Sequence, residues 1–287
     1  MKVFVLLVQS NIYIALGAVL LAIQSQIQLG MSPGWHPYLF ILFFATLFEY
    51  NLHRLITIIS NKEALNSEKH QWVKQNMGGF YLLVGVSVAG FVSAAMMAQR
   101  DVLIALSPVA LLTLFYSMPV LGFKKRLFRL REIPYLKIFL IAFVWSYATI
   151  ILPVIKANLA INQVQIGWMM MERFLFIFAI TLPFDLRDKD ADRLAGLKTI
   201  PILLKQDVVW KISYLALLLF LLIALIHYVL VGMYWLSLAL VVSAFITYFL
   251  LKSSRMRSWS YFHLGILDGT MLIQGLLVLI FYYFSRF

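Results

Sequence analysis

The stretch from Tyr214 to Ile226 reads Tyr-Leu-Ala-Leu-Leu-Leu-Phe-Leu-Leu-Ile-Ala-Leu-Ile and contains no charged residue. It lies within a longer apolar segment, 207–230. A helix that crosses a bilayer needs about 20 predominantly apolar residues, whereas the strands of a membrane barrel show short alternating runs. The continuous run therefore predicts a membrane helix. Runs of the same kind recur at 3–24, 37–59, 77–98, 102–121, 135–155, 167–186, 233–251 and 261–284. The fold class expected is all-α: a polytopic bundle of about nine transmembrane helices, with 1–287 forming a single domain.

Composition narrows the reading further. Of the 287 residues 63% are hydrophobic and 13% charged, against about 45–50% and 25% in a soluble domain. Disorder is excluded by the abundance of apolar residues. The chain has no cysteine, which rules out disulfides, iron–sulfur clusters and cysteine-type zinc sites. A net charge of +12 does not make this a nucleic-acid binder, because the basic residues sit in loops between apolar runs. Lys62, Lys69 and Lys74 follow the second run. Lys124, Lys125, Arg126, Arg129 and Arg131 follow the fourth. Arg187, Lys189, Arg193, Lys198 and Lys205 follow the sixth, and Lys252, Arg255 and Arg257 the eighth. Loops after odd-numbered runs carry only Arg100 and Lys156. The positive-inside rule places the amino terminus in the cytoplasm and the carboxyl terminus outside. In a bacterium this would be the inner membrane. The first run is read as a true span. A cleaved signal peptide is the alternative, but Gln9, Ser10 and Asn11 interrupt its apolar stretch.

The strongest chemical signal is acidic. Residues 181–201 read Thr-Leu-Pro-Phe-Asp-Leu-Arg-Asp-Lys-Asp-Ala-Asp-Arg-Leu-Ala-Gly-Leu-Lys-Thr-Ile-Pro. Asp185, Asp188 and Asp192 are spaced i, i+3, i+7 and share one face if the helix continues. Three like charges on one face repel unless something neutralises them, and Mg²⁺ bridging carboxylates to phosphate oxygens is such a group. Asp190 points elsewhere. The competing reading is a solvated loop, since Arg187, Lys189 and Arg193 are interleaved with the acids.

This Asp-x-x-Asp-x-x-x-Asp run, with Gly196, Thr199 and Pro201 behind it, resembles the second aspartate motif of the UbiA superfamily of intramembrane prenyltransferases. The resemblance extends to the helix count, to the cytoplasmic side, and to Tyr116-Ser117-x-Pro119 with basic residues just after. It implies a helical bundle with a central cavity open to lipid. There Mg²⁺, held by Asp185, Asp188 and Asp192, would bind a prenyl diphosphate, and the prenyl group would pass to an aromatic or other lipophilic acceptor. Asn51 would be a further catalytic residue, and Arg54, Tyr116, Lys124, Lys125 and Arg187 would bind the donor.

The first motif of that family, Asn-x-x-x-Asp-x-x-x-Asp, is degenerate here. Asn51 matches its leading residue, but Leu55 and Ile59 occupy the two aspartate positions. Glu49 and His53, spaced i, i+4, are a candidate substitute pair, although a structural role is favoured for them. Asn51 and Arg54 are expected to line a polar cavity and to face Asp185 across it. With fewer carboxylates, fewer metal ions are expected, and Arg54 with Lys124 or Lys125 would clamp the diphosphate. Tyr50 and Tyr116 are candidates for stabilising an allylic cation. Asp268 is read as structural, and Glu172 and Arg173 as interfacial. Two other readings stand beside the transferase: a binding or scaffold protein that keeps the fold without catalysis, and an ion-coupled transporter using Glu49, Arg54 and Asp268.

Overall fold

The computed structural model describes residues 2–60, 71–118, 121–123, 126–157, 163–194 and 196–286. Its helices are α1 (Lys2–Gln9), α2 (Ile12–Gln28), α3 (Pro37–Ser60), α4 (Gln71–Gln75), α5 (Met77–Met97), α6 (Arg100–Ser117), α7 (Leu136–Ala157) and α8 (Gln163–Arg187). These are followed by α9 (Lys189–Leu194), α10 (Ile200–Leu203), α11 (Gln206–Leu230), α12 (Tyr234–Lys252), α13 (Ser254–Arg257) and α14 (Asp268–Phe284). Two three-residue strands, Leu121–Phe123 and Arg126–Phe128, pair antiparallel before α7. A π-helical turn, Phe262–Leu267, leads into α14.

Among the described residues eight helices are long and apolar enough to cross a membrane, and α1 with α2 adds a ninth as a bent pair. Lipid offers the backbone no hydrogen-bond partners, so the spans satisfy their own peptide groups as helices. The expected spans overlie these helices, including the short break between α5 and α6, where Ala98 and Gln99 are extended; the fourth, expected to reach 121, ends at Ser117, and Leu121 falls in a strand.

The first span is the correction. It reaches Gln28 rather than residue 24, and it bends by 76° between Gln9 and Ile12. Asn11 takes a left-handed backbone, φ 63°. The break strips two carbonyls of helical partners, and α3 supplies replacements. Arg54 Nη1 donates to the Gln9 carbonyl at 2.6 Å, and Asn51 Nδ2 donates to the Ser10 carbonyl at 3.2 Å. A cation at a helix carboxyl end is also favoured by the helix dipole.

The helices close on one another through the contacts α2–α3, α6–α7, α7–α8, α8–α11, α11–α12, α12–α14 and α14–α2, with α5 packed on α3. On α11, Leu215, Leu218, Leu222 and Leu225 are exposed at helical spacing, as a lipid-facing stripe requires, while Ala216, Leu217, Phe220 and Ala224 are buried. Small residues allow the tightest approaches. A Cβ on Gly275 would stand 2.8 Å from Leu20 Cβ and 2.9 Å from the Leu20 carbonyl oxygen, so α2 and α14 touch backbone to backbone. Gly275→Val is expected to destabilise the fold by about 1–3 kcal/mol through overpacking. Thermal unfolding in detergent checks this, and an unchanged midpoint would mean that the helices part without cost.

Glu172 and Arg173 are not interfacial. Each is 2% exposed. They stand about 20 Å along α8 from Asp185, at 1.5 Å per residue. Arg173 donates to the Leu21 carbonyl and Thr149 Oγ1, both at 3.1 Å, and to Ser25 Oγ and Gln28 Oε1, both at 3.3 Å. Glu172 lies 2.5 Å from His227 Nδ1 and accepts from the Tyr228 hydroxyl at 3.0 Å. The pair ties α8 to α2, α7 and α11. Hydropathy reads where a span lies but not which side of a uniformly apolar helix turns inward.

Candidate functional site

The acidic segment forms one nearly continuous helical surface. The Asp188 amide donates to the Phe184 carbonyl at 2.9 Å and the Asp192 amide to the Asp188 carbonyl at 2.8 Å, carrying α8 into α9. Gly196 ends it in the left-handed region, φ 70°. The Leu197 amide then reaches back to the Asp192 carbonyl and the Gly196 amide to that of Arg193, the paired bonds of a Schellman stop. Thr199 and Pro201 begin α10. The segment is also tied sideways: the Tyr135 amide donates to the Lys198 carbonyl at 2.9 Å. That bond brings the start of α7, and with it Lys137, alongside the aspartates.

A cavity of about 460 Å³ lies here. Asp185 and Arg187 line it from α8, Asp188 from the turn that follows, Asp192 from α9, and Asp268 from the start of α14. Tyr50, His53 and Arg54 of α3, Tyr116 of α6, Arg129 and Arg131 before α7, Lys137 and Trp145 of α7 and Phe184 of α8 complete the charged and aromatic lining, with Asn11 at the α1–α2 break. The three aspartates predicted to share a face therefore open onto one space. Asp190 does not; its side chain is 91% exposed, with Arg193 3.8 Å away.

The like charges are neutralised by cations of the chain itself. Lys137 Nζ is 2.7 Å from Asp185 Oδ1 and 2.9 Å from Asp192 Oδ2, and all three residues are buried. Arg187 grips Asp188 with two parallel bonds, Nε to Oδ1 at 2.8 Å and Nη2 to Oδ2 at 3.0 Å, while its guanidinium lies over the Phe184 ring. No group of three or more His, Asp or Glu is gathered as a ready-made metal nest among the described residues.

Asn51 departs from expectation. It is fully buried and does not line the cavity, because its amide is consumed by Asn11, the Ser10 carbonyl and the Leu47 carbonyl. Asn11 stands in front of it and faces the space instead. Arg54 does line the cavity while holding the Gln9 carbonyl. Glu49 and His53 do not act together: Glu49 accepts from the Ser117 hydroxyl, and His53 Nε2 is 3.1 Å from Arg131 Nη1. Lys124, Lys125 and Pro119 lie outside the described residues. Sequence reasoning missed Asn11 and Lys137, and it counted Arg129 and Arg131 only as loop charges. The available signal for Lys137 was a lone cation inside the start of an apolar span, where charge is costly and marks function.

A second cavity of about 460 Å³ adjoins the first, bounded by α3, α5, α6 and α7. Its lining is apolar apart from a few groups such as Glu49. Tyr50, His53, Tyr116, Ile141 and Trp145 line both cavities, so the two chambers meet at an aromatic neck.

A charged chamber joins an apolar one inside the bundle of a multi-pass membrane protein. The UbiA prenyltransferase family profile matches residues 75–266, more than half of the chain, and the protein belongs to that family. Among solved structures, the fold is similar to a UbiA homolog from Archaeoglobus fulgidus bound to GPP and Mg²⁺, with TM-score 0.64 and 15% identity over 96% of this chain and 98% of that one. An apo UbiA homolog from Aeropyrum pernix K1 matches with TM-score 0.59 and 13% identity over 98% of both chains. A digeranylgeranylglyceryl phosphate synthase structure matches with TM-score 0.54 and 12% identity over 98% of this chain and 96% of that one. At these identities the likeness is one of fold. No curated protein sequence matches significantly.

Proposed function

We propose that the protein transfers a prenyl group from its diphosphate to an aromatic or other lipophilic acceptor, in a Mg²⁺-dependent reaction at the cytoplasmic side of a membrane. Residues 1–287 act as one membrane domain in this reading. The observation that carries it is the pair of joined chambers: cations and aspartates in one, apolar walls in the other, and tyrosines where they meet. A prenyl diphosphate has the same division of charge and grease.

The residues present fit Mg²⁺. It takes hard oxygen ligands and is ordinarily held by one or two carboxylates with water and substrate phosphate, not by a full protein cage. Asp188 and the second oxygen of Asp185 would hold it. When bound, the ion supplies charge neutralisation for the departing diphosphate. The chain does the rest. Arg54, Arg129 and Arg131 hold phosphate oxygens with planar donor forks. Tyr50, Tyr116 and Trp145 line the neck, where their rings would stabilise the first prenyl carbon as it gains positive character and its bond to oxygen breaks. The apolar chamber keeps water from that carbon, leaving the acceptor as the nucleophile. The acceptor then bonds to it and loses its proton.

The test is release of diphosphate from a series of allylic diphosphates by the purified protein, supplied with membrane lipid as acceptor source. Release that requires Mg²⁺ and stops with chelator supports the reading. No release from any donor returns the protein to a binding or transport role. Arg54→Lys keeps the charge but loses the fork, and donor affinity is expected to fall about tenfold, the scale of one charge-assisted contact. Unchanged donor binding in Arg54→Ala would leave Arg54 with only its structural bond to Gln9.

A further inference from the structure

Lys137 occupies an unusual position for a lysine in a membrane span. Its ammonium is not turned out to the interface but sits between two buried carboxylates, 2.7 Å from Asp185 and 2.9 Å from Asp192. Lysine is a compact point charge, unlike the planar fork of arginine. A compact cation at bonding distance from two carboxylates fills the place a divalent ion would take between the same oxygens. Mg²⁺ bonds at about 2.1 Å and demands room for an octahedron, so the ion and the ammonium exclude each other there.

The charges around the cavity agree. Asp185, Asp188, Asp192 and Asp268 line the cavity together with Arg54, Arg129, Arg131, Lys137 and Arg187, and with every one of these groups charged the excess is one positive charge. A bound diphosphate brings about three negative charges at most. One Mg²⁺ then balances the chamber, and two would overcharge it. On α3, the residues one and two turns beyond Asn51 are Leu55 and Ile59, which offer a second ion no ligand.

We propose that the Lys137 ammonium is a built-in substitute for one divalent cation, bridging Asp185 and Asp192 so that donor binding takes a single metal ion. This rests on the prenyl diphosphate reading above. The acidic face is thereby held together before any ion arrives. Lys137 acts as a positioning residue: it fixes two carboxylates rather than touching the reacting carbon.

The experiment counts ions on the full-length protein. Mn²⁺ replaces Mg²⁺, a non-hydrolysable thiolodiphosphate analogue replaces the donor, and electron paramagnetic resonance reports the bound manganese. The wild type should hold one Mn²⁺ per bound analogue, without manganese–manganese coupling. Analogue affinity should rise with the first power of free Mn²⁺. Lys137→Gln, which keeps the length and loses the charge, should hold two coupled ions and need about tenfold more Mn²⁺ for half-saturation. Two ions in the wild type, or one ion in both proteins, overturns the assignment while the donor reading stands. If the analogue binds at no Mn²⁺ concentration, the donor reading fails and takes this assignment with it. Should Lys137→Gln not fold, Lys137→Met, which also loses the charge, is counted in its place against the same two outcomes.

Discussion

Asp188→Asn is expected to lower prenyl transfer about 10²–10³-fold, the usual scale for removing one preorganised electrostatic group from a site of charge development. The change keeps the side chain's size and most of its hydrogen bonding, but it removes a charge where the proposed metal would bind. Folding should be nearly unaffected. The Asp188–Arg187 pair is partly exposed, and such pairs contribute about 0–1 kcal/mol. Asp190→Asn is the control: two residues away, almost fully exposed and off the cavity, it should change turnover little. Turnover measured beside a thermal midpoint separates the two effects. Equal losses at Asp188 and Asp190 would contradict the helical-face argument. No loss at Asp185, Asp188 or Asp192 in a preparation that transfers prenyl groups would put the metal elsewhere.

Arg173→Ala is expected to destabilise the fold by about 3–5 kcal/mol, the cost of removing one partner from a buried ionic network. Four acceptors on α2 and α7 lose their donor at once, and Glu172 beside them loses its neighbouring positive charge. Because the network stands about 20 Å along α8 from the aspartates, turnover per folded molecule should be unchanged. Thermal unfolding and the yield of monodisperse protein read the first effect, and specific activity the second. A midpoint within a degree of wild type would show that the network does not hold the bundle.

Hydropathy made the spans legible because each must be apolar over bilayer thickness, and that demand is local. The acidic face was legible for the same reason: three aspartates at helical spacing need no knowledge of other helices. Lys137 was not, since its meeting with Asp185 and Asp192 depends on the Tyr135–Lys198 backbone tie between segments far apart in sequence. Asn51 was found by its motif and misplaced in space. The motif does not encode the α1–α2 break, which sets Asn11 between Asn51 and the cavity. Glu49 and His53 have metal-ligand spacing along α3, yet each is claimed by a different neighbour, Ser117 and Arg131. Spacing within one helix cannot report such competition.

The Glu172–Arg173 pair also bears on the order in which the protein is made. Every described hydrogen-bond partner of Arg173 lies in a segment synthesised before α8: Leu21, Ser25 and Gln28 on α2, and Thr149 on α7. The described partners of Glu172, His227 and Tyr228, lie on α11 and emerge from the ribosome later. An uncompensated charge within a span is costly to keep in lipid. In order of synthesis, the arginine's hydrogen-bond partners thus precede α8, whereas those of the glutamate follow it by some fifty residues, so the network is complete only once α11 has been made.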